Sequence, residues 1–336
     1  MKQIGLVAIG RNEGDRLGAC LRSAIVQVAL VVYVDSGSTD GSLELARSLG
    51  ADTVELDLSI PFTAARARNE GFARLRQLEP DIEFVQFVDG DCEIVGGWLQ
   101  TAQQELAARP ELAAVCGRRR EKFPEATAYN RLCDMEWDTP VGDAKACGGD
   151  SMMRTSAFEQ VGGFNPTLIA GEEPELCVRL RQNGWKIERL DAEMTLHDAQ
   201  MTRFDQWWKR SQRAGHAYAE GSWLHGNTPE RHWVKDTISI WFWGGVLPVI
   251  ALSTAWFTQG WSLWLLAGYP VLTYRIYRRM QQQNLPAKDA ALYATSCAIG
   301  RFPQLQGQIQ FHQRRLLGQR SSLIEYKTSK PVNSAR

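Results

Sequence analysis

Over the first 200 residues, short apolar runs alternate with stretches of helical periodicity. Residues 4–9 (IGLVAI), 31–35 (VVYVD), 53–56 and 84–88 (FVQFV) each read as a strand of four to six residues. Between and after them, 17–28, 42–49, 62–78 and 98–108 carry apolar positions at helical spacing, with Gly50 just past the end of the second. Strand, helix and strand in strict succession predict an α/β fold with a mostly parallel sheet and helices on both faces. In such a sheet, ligands bind beyond the carboxyl ends of the strands, so the polar residues after each strand are the ones to inspect.

The pattern changes after residue 200. No charged residue occurs from Thr237 to Tyr274, and 238–257 alone is long enough to span a hydrocarbon core as helix. Thr258, Gln259 and Gly260 offer a turn, and 261–274 is a second, shorter apolar run. Nine of the 12 Trp lie between Trp207 and Trp264, as expected for rings at a membrane interface. Arg231 and Lys235 flank one end, and Arg275, Arg278 and Arg279 the other. With an uncharged loop between, both flanks are expected on the cytoplasmic side. Over 237–277 a transmembrane or re-entrant hairpin is expected, and a buried hairpin of a soluble core is the other reading. Beyond it, 286–326 reads as basic amphipathic helix, on an anionic surface or packed on protein. Residues 206–236 are linker helices, and 327–336 a loose tail.

Charge divides the chain in the same way. Residues 1–200 hold 21 Lys and Arg against 32 Asp and Glu, and 201–336 hold 17 against 6, so a net charge of zero conceals an acidic segment and a basic one. The seven Cys form no Cys-x-x-Cys pair, which disfavours zinc ribbons and redox motifs and leaves reduced, mostly buried thiols. The apolar run before Arg11 is too short for a secretory leader, so none is expected.

After the first strand comes Gly10-Arg11-Asn12-Glu13-Gly14, neither a dinucleotide fingerprint nor a P-loop. The second strand is followed by Asp35-Ser36-Gly37-Ser38-Thr39-Asp40-Gly41-Ser42, which by itself is a turn with a helix cap. Asp89-Gly90-Asp91 ends the fourth, and two carboxylates there can reach a hard divalent cation, Mg²⁺ or Mn²⁺. Glu172, Glu173 and Glu175 either begin a helix or supply a general base beside the metal. His197 is a metal ligand or a satisfied histidine at a strand end.

In this order the motifs resemble the family-2 inverting glycosyltransferases of the GT-A fold. The likeness rests on Asn12-Glu13, DSGSTDGS (35–42), ARARNEG (65–71), FVDGD (87–91), CGGDSMMRTSAFEQVGGFN (147–165) and GEEPELCVRLRQNGW (171–185), and covers about residues 3–200. It implies a Rossmann-like catalytic domain over 1–205, with a nucleotide-sugar half at 1–92 and an acceptor half at 93–205. By the same resemblance Gly10, Arg11, Asn12, Glu13 and Asp35 hold the nucleotide, and Arg68 contacts base or diphosphate. Asp89 lies near ribose and metal, Asp91 binds the metal, His197 adds a ligand, and Asp150 orients donor or acceptor. Glu173 occupies the general-base position, although Glu-Glu stands where Glu-Asp is commoner and Glu172 is the alternative. No Gln-x-x-Arg-Trp motif follows, so one sugar moves per acceptor. The implied partners are a nucleoside-diphosphate sugar, a saccharide or lipid-linked saccharide and membrane lipid, not nucleic acid. The implied setting is bacterial surface or exopolysaccharide assembly at the cytoplasmic membrane, with the catalytic domain in the cytoplasm. A polyprenyl-phosphate glycosyltransferase and a catalytically inactive membrane scaffold are the competing expectations.

Overall fold

The computed structural model describes residues 4–319 and 323–325. The expected tail, 327–336, lies outside them, as do 320–322 and 326 of the basic region. The chain forms two compact units: Met1–Phe123 with Glu136–Ala199, and Pro124–Met135 with Gln200–Arg336.

The first unit is built on strands β1 (Ile4–Gly10), β2 (Leu30–Asp35), β3 (Asp52–Glu55), β4 (Phe84–Asp89), β5 (Cys92–Ile94), β6 (Leu112–Glu121), β7 (Gly142–Asp143), β8 (Ser151–Arg154) and β9 (Lys186–His197). Its helices are α1 (Asp15–Ala24), α2 (Ser42–Ser48), α3 (Ala64–Leu78) and α4 (Trp98–Ala108); α5 (Ala128–Glu136) lies almost wholly in the second unit, and α6 (Thr155–Gln160) and α7 (Glu172–Gln182) complete the first. One sheet runs β3-β2-β1-β4-β8-β6-β9-β5, with β7 on β9. Strands β3, β2, β1 and β4 are mutually parallel, and β6 pairs parallel with β9. The β4–β8, β8–β6, β9–β5 and β7–β9 pairings are antiparallel.

The expectation of a mostly parallel sheet therefore holds for one half only. A single helix linking neighbouring strands forces a parallel return, which covers β1 to β4. The link from β6 to β8 instead runs through α5 and β7, and nothing in that length requires β8 to be parallel. The first helix is also shorter than the span 17–28, because Ile25 to Ala29 turn directly into β2.

Strand β1 is buried on both faces, which explains its unbroken apolar run. Helix α3 packs on it through Gly71, where a Cβ would fall 2.4 Å from Val7 Cγ1 and 2.8 Å from Val34 Cγ2.

In the second unit, α8 (Phe204–His225), α9 (Val234–Trp241), α10 (Leu247–Ser253), α11 (Gly268–Gln282) and α12 (Ala287–Leu316) follow. A π-helical segment at Phe242–Val246 joins α9 to α10, so Val234–Ser253 is continuous and has mean hydropathy 1.3. Among the described residues it is the one helix long and apolar enough to cross a membrane. The second apolar run is not a helix of that kind. Gly260, at φ 88°, breaks the chain, Trp261–Ala267 is a 3₁₀ turn, and the rest opens the charged helix α11. The expected hairpin is thus reduced to one such helix and a short return, with Trp256, Phe257, Trp261 and Trp264 exposed around the turn. Helix α12 buries a face of small residues, Ala290, Ala294, Ala298, Gly300 and Gly307, and packs on α8 and α11. Its small-residue face therefore meets protein.

The α8–α12 crossing is closer than any side chain permits. A Cβ on Gly215 would lie 1.9 Å from the Gln304 carbonyl oxygen, and one on Gly307 1.9 Å from that of Gln212. Gly215→Ala must push the facing backbones apart and is expected to cost about 3 kcal/mol or more. Gly96→Ala, with nothing within 4 Å of its Cβ, is expected to stay within about 0.5 kcal/mol. Chemical unfolding of both variants checks the contrast, and equal stabilities would contradict it.

Candidate active site

Because β2, β1 and β4 are parallel neighbours, the ends bearing Asp35, Gly10 and Asp89 lie side by side. Strand β8 runs the other way with Ser151 opposite Phe87, so Asp150 enters at the same end. The sheet's last crossing brings His197, at the end of β9, opposite Cys92.

The centre of the site is a buried arginine between two acids. Arg68, on α3 and 2% exposed, donates from Nη1 to Glu172 Oε1 and from Nη2 to Asp89 Oδ1, both at 2.8 Å. Burial works against its charge, and Asp89 and Glu172 outweigh it, leaving the guanidinium above its ordinary pKa. Gly149 makes room: a Cβ there would sit 2.6 Å from Arg68 Nη2. Arg119, on β6, approaches Asp89 Oδ2 at 3.3 Å and Asp150 Oδ2 at 3.5 Å, with Trp137 over its guanidinium at 4.8 Å. Burial again opposes the cation and Asp150 leads the acids that raise it. Asp150 is fully buried; its Oδ1 accepts from the Asp89 amide at 3.0 Å and its Oδ2 from Thr195 Oγ1 at 2.8 Å.

Beside this cluster, His197 Nε2 lies 3.3 Å from Asp91 Oδ2, and its Nδ1 lies 3.6 Å from Glu121 Oε2. Glu121 is held by the amides of Phe123 and Ala199, and Trp137 meets His197 edge-on at 4.7 Å. Asp91, Cys92 and His197 bring three donor atoms within 4.8 Å of one another, as do Asp89, Cys92 and Asp150. Hard cations prefer oxygen to a thiol, so Cys92 is the poorest hard-cation donor in either group.

The first two strand loops form the other wall. Asn12, at φ 56°, accepts from the Thr39 amide at 2.7 Å and donates its own amide to Ser38 Oγ at 2.9 Å. The Asp35 carboxylate accepts from Tyr33 Oη at 3.0 Å and from the amides of Gly37 and Ser38. Burial, then Asp35, push the Tyr33 hydroxyl well above its usual range, so it remains a donor. Glu13 pairs with Arg16 at 2.7 Å and packs over Gly90, and Arg11 lies over the Phe62 ring at 5.0 Å. The Gly10 position is equally tight, with Glu13 Cγ 3.1 Å from where a Cβ would be.

The two glutamates at the start of α7 have separate surroundings. Glu172 belongs to Arg68. Glu173, 5% exposed, accepts at Oε1 from the Cys147 amide at 2.5 Å and the Cys177 thiol at 2.9 Å, which leaves Oε2 clear of both bonds. Glu175 is bound by Arg179, which also reaches the carbonyls of Val161 and Gly163. The site thus gathers Arg68, Asp89, Asp150 and Glu172 in one network and Asp91 with His197 in the next. Arg119, Glu121 and Trp137 complete it and escaped the sequence reading; three arginines closing an apolar strand (118–120) were the available signal for Arg119.

Residues 7–162 match the family described as Glycosyl transferase family 2, and 133–204 match the N-terminal domain of galactosyltransferase. These matches support a family-2 glycosyltransferase domain. The structure is similar to the mannosyltransferase PcManGT from Pyrobaculum calidifontis in complex with GDP-Man and Mn²⁺, at TM-score 0.59 and 15% identity, over 92% of this chain and 87% of that one. It is also similar to S. aureus TarS 1–349, at TM-score 0.53 and 15% identity, over 95% and 92%. At that identity the likeness shows a shared, GT-A-like fold. A TPR repeat-containing protein of Synechococcus elongatus is 29% identical over 133 residues, 39% of this chain, and the match spans about a third (31%) of that curated relative.

Removing Arg119 would leave Asp150 buried without a cation. Arg119→Ala is expected to cost about 3–5 kcal/mol in chemical unfolding, and adding Asp150→Asn should recover some of it. A cost under about 1 kcal/mol would contradict the pairing.

Proposed function

We propose that this chain is a metal-dependent inverting glycosyltransferase. It moves one sugar from a nucleoside-diphosphate donor to a hydroxyl of a saccharide acceptor, carried on a lipid at the cytoplasmic membrane face. The observation carrying the reading is the arginine-braced carboxylate cluster at the sheet's carboxyl end, where Asp89 remains 28% exposed at its side chain between Arg68 and Arg119.

Asp91 Oδ2 and His197 Nε2, already facing each other, would suit Mg²⁺ or Mn²⁺, with Glu121 Oε2 3.6 Å from the ring's far nitrogen. A cation held there would offset the charge of the departing diphosphate. Asp89 would serve the ribose and Asp150 would set Asp89's backbone. The loops tied by Asn12 and Ser38 would frame the base, and Asp35, whose oxygens already bond Tyr33 and two amides, would hold that frame in shape.

Inversion needs a base for the acceptor hydroxyl. Glu172 is committed to Arg68, so Glu173 is the better base: its Oε1 is anchored and Oε2 takes the proton. Lipid linkage is supported by the apolar helix Val234–Ser253 and the exposed Trp and Phe rings beyond it.

Nucleoside-diphosphate release by the detergent-purified protein, measured over a panel of sugar nucleotides with Mn²⁺, Mg²⁺ or EDTA, tests the reading. One donor should be hydrolysed slowly in a metal-dependent way, and Asp91→Ala should abolish it. Glu173→Gln should lower transfer to a saccharide acceptor about 10²–10⁴-fold. Metal-independent release would overturn the metal site, and unchanged transfer by Glu173→Gln would turn the account toward a lipid-phosphate acceptor.

A further inference from the structure

Glu173 differs from the acids clustered around Arg68 and Arg119 in its counter-charge. Asp89 has Arg68 and Arg119, Asp150 has Arg119, Glu172 has Arg68 and Glu175 has Arg179. Glu173 is as buried as these, yet its partners are an amide and a thiol, and among the described residues no basic side chain pairs with it. Buried carboxylates are paired, protonated or bound to metal.

Its neighbours are soft-metal donors. The Cys147 and Cys177 sulfurs are 3.6 Å apart, both residues are buried, and their Sγ atoms and a Glu173 oxygen lie within 4.8 Å of one another. Zn–S bonds of about 2.3 Å at a tetrahedral angle place two sulfurs about 3.8 Å apart, close to the spacing found. Glu173 and Cys177 are four residues apart on α7 and so share one face. Cys147 comes from the segment before β8.

We infer that Cys147, Cys177 and Glu173 form a second metal site, selective for a thiophilic divalent cation of the zinc class. Each thiol gives its proton to solvent on coordination, and the carboxylate draws back slightly from Cys177 to become the third ligand. Water supplies the fourth. Mg²⁺ and Mn²⁺ do not compete, because thiolates are poor ligands for them. Zinc bound here holds the carboxylate that takes the acceptor proton, so it blocks transfer while leaving donor binding intact. That consequence rests on the base assignment above; the metal site does not.

The test is a Co²⁺ titration of the full-length, reduced, metal-stripped protein. One equivalent should produce a thiolate-to-cobalt charge-transfer band that Zn²⁺ removes and Mg²⁺ does not. Cys147→Ser and Cys177→Ser should each lose the band, and Cys133→Ser should keep it, with circular dichroism confirming the fold. No band in folded wild type, or a band unchanged in both variants, overturns the site. Should a variant fail to fold, zinc-edge X-ray absorption of the wild type decides: two sulfur neighbours at about 2.3 Å support the site, and only nitrogen and oxygen neighbours overturn it. Since neither readout uses turnover, its failure would leave the transferase reading standing, and loss of turnover in Asp91→Ala would leave the cobalt result standing.

Discussion

The double ion pair of Arg68 with Asp89 and Glu172 is the constraint on which the rest of the site depends. It joins three elements distant in sequence: α3, the end of β4 and the start of α7. A guanidinium buried this deeply is costly unless both its edges are matched by carboxylates. The acids in turn could not crowd the sheet's end without it. Arg119 repeats the device from the other side and carries it to Asp150. Two arginines therefore let Asp89, Asp150 and Glu172 gather at one end of the sheet.

Backbone details follow from that requirement. Gly149 is needed because a side chain would collide with Arg68 Nη2, and Asp150 must be next to it to receive the Asp89 amide. Antiparallel β8 brings this Gly-Asp pair to the carboxyl end of β4; a parallel strand would have delivered it to the opposite edge. The mixed topology is thus what completes the site. In the same way, β5 and β9 pair so that Asp91 and His197 approach each other, with Glu121 behind the ring.

Much of this was legible in the chain. The apolar runs of β1, β2 and β4 mark strands buried on both faces, and the polar turns after them are where the candidate site lies. Glu172 and Glu173 were both candidates, with Glu173 in the base position by resemblance; that Glu172 meets Arg68 across 104 residues was not legible in the chain. Arg119 was hidden among three consecutive arginines on a strand whose pairing register shifts at Arg118 and Arg119. The direction of β8 was illegible because a long link leaves it free. In the second apolar run the turn expected at Thr258 to Gly260 is present, and the 3₁₀ segment after it was not legible in composition.

The central claim is that the arginine-braced acids with Asp91 and His197 form a nucleoside-diphosphate site. Calorimetric titration of the purified chain with UDP and with GDP, with Mn²⁺ and then with EDTA, tests it most directly. The account predicts saturable, Mn²⁺-dependent binding of one of the two, lost in Asp91→Ala. A folded protein that binds neither nucleotide with Mn²⁺ present, or binds one equally well in EDTA, would contradict it.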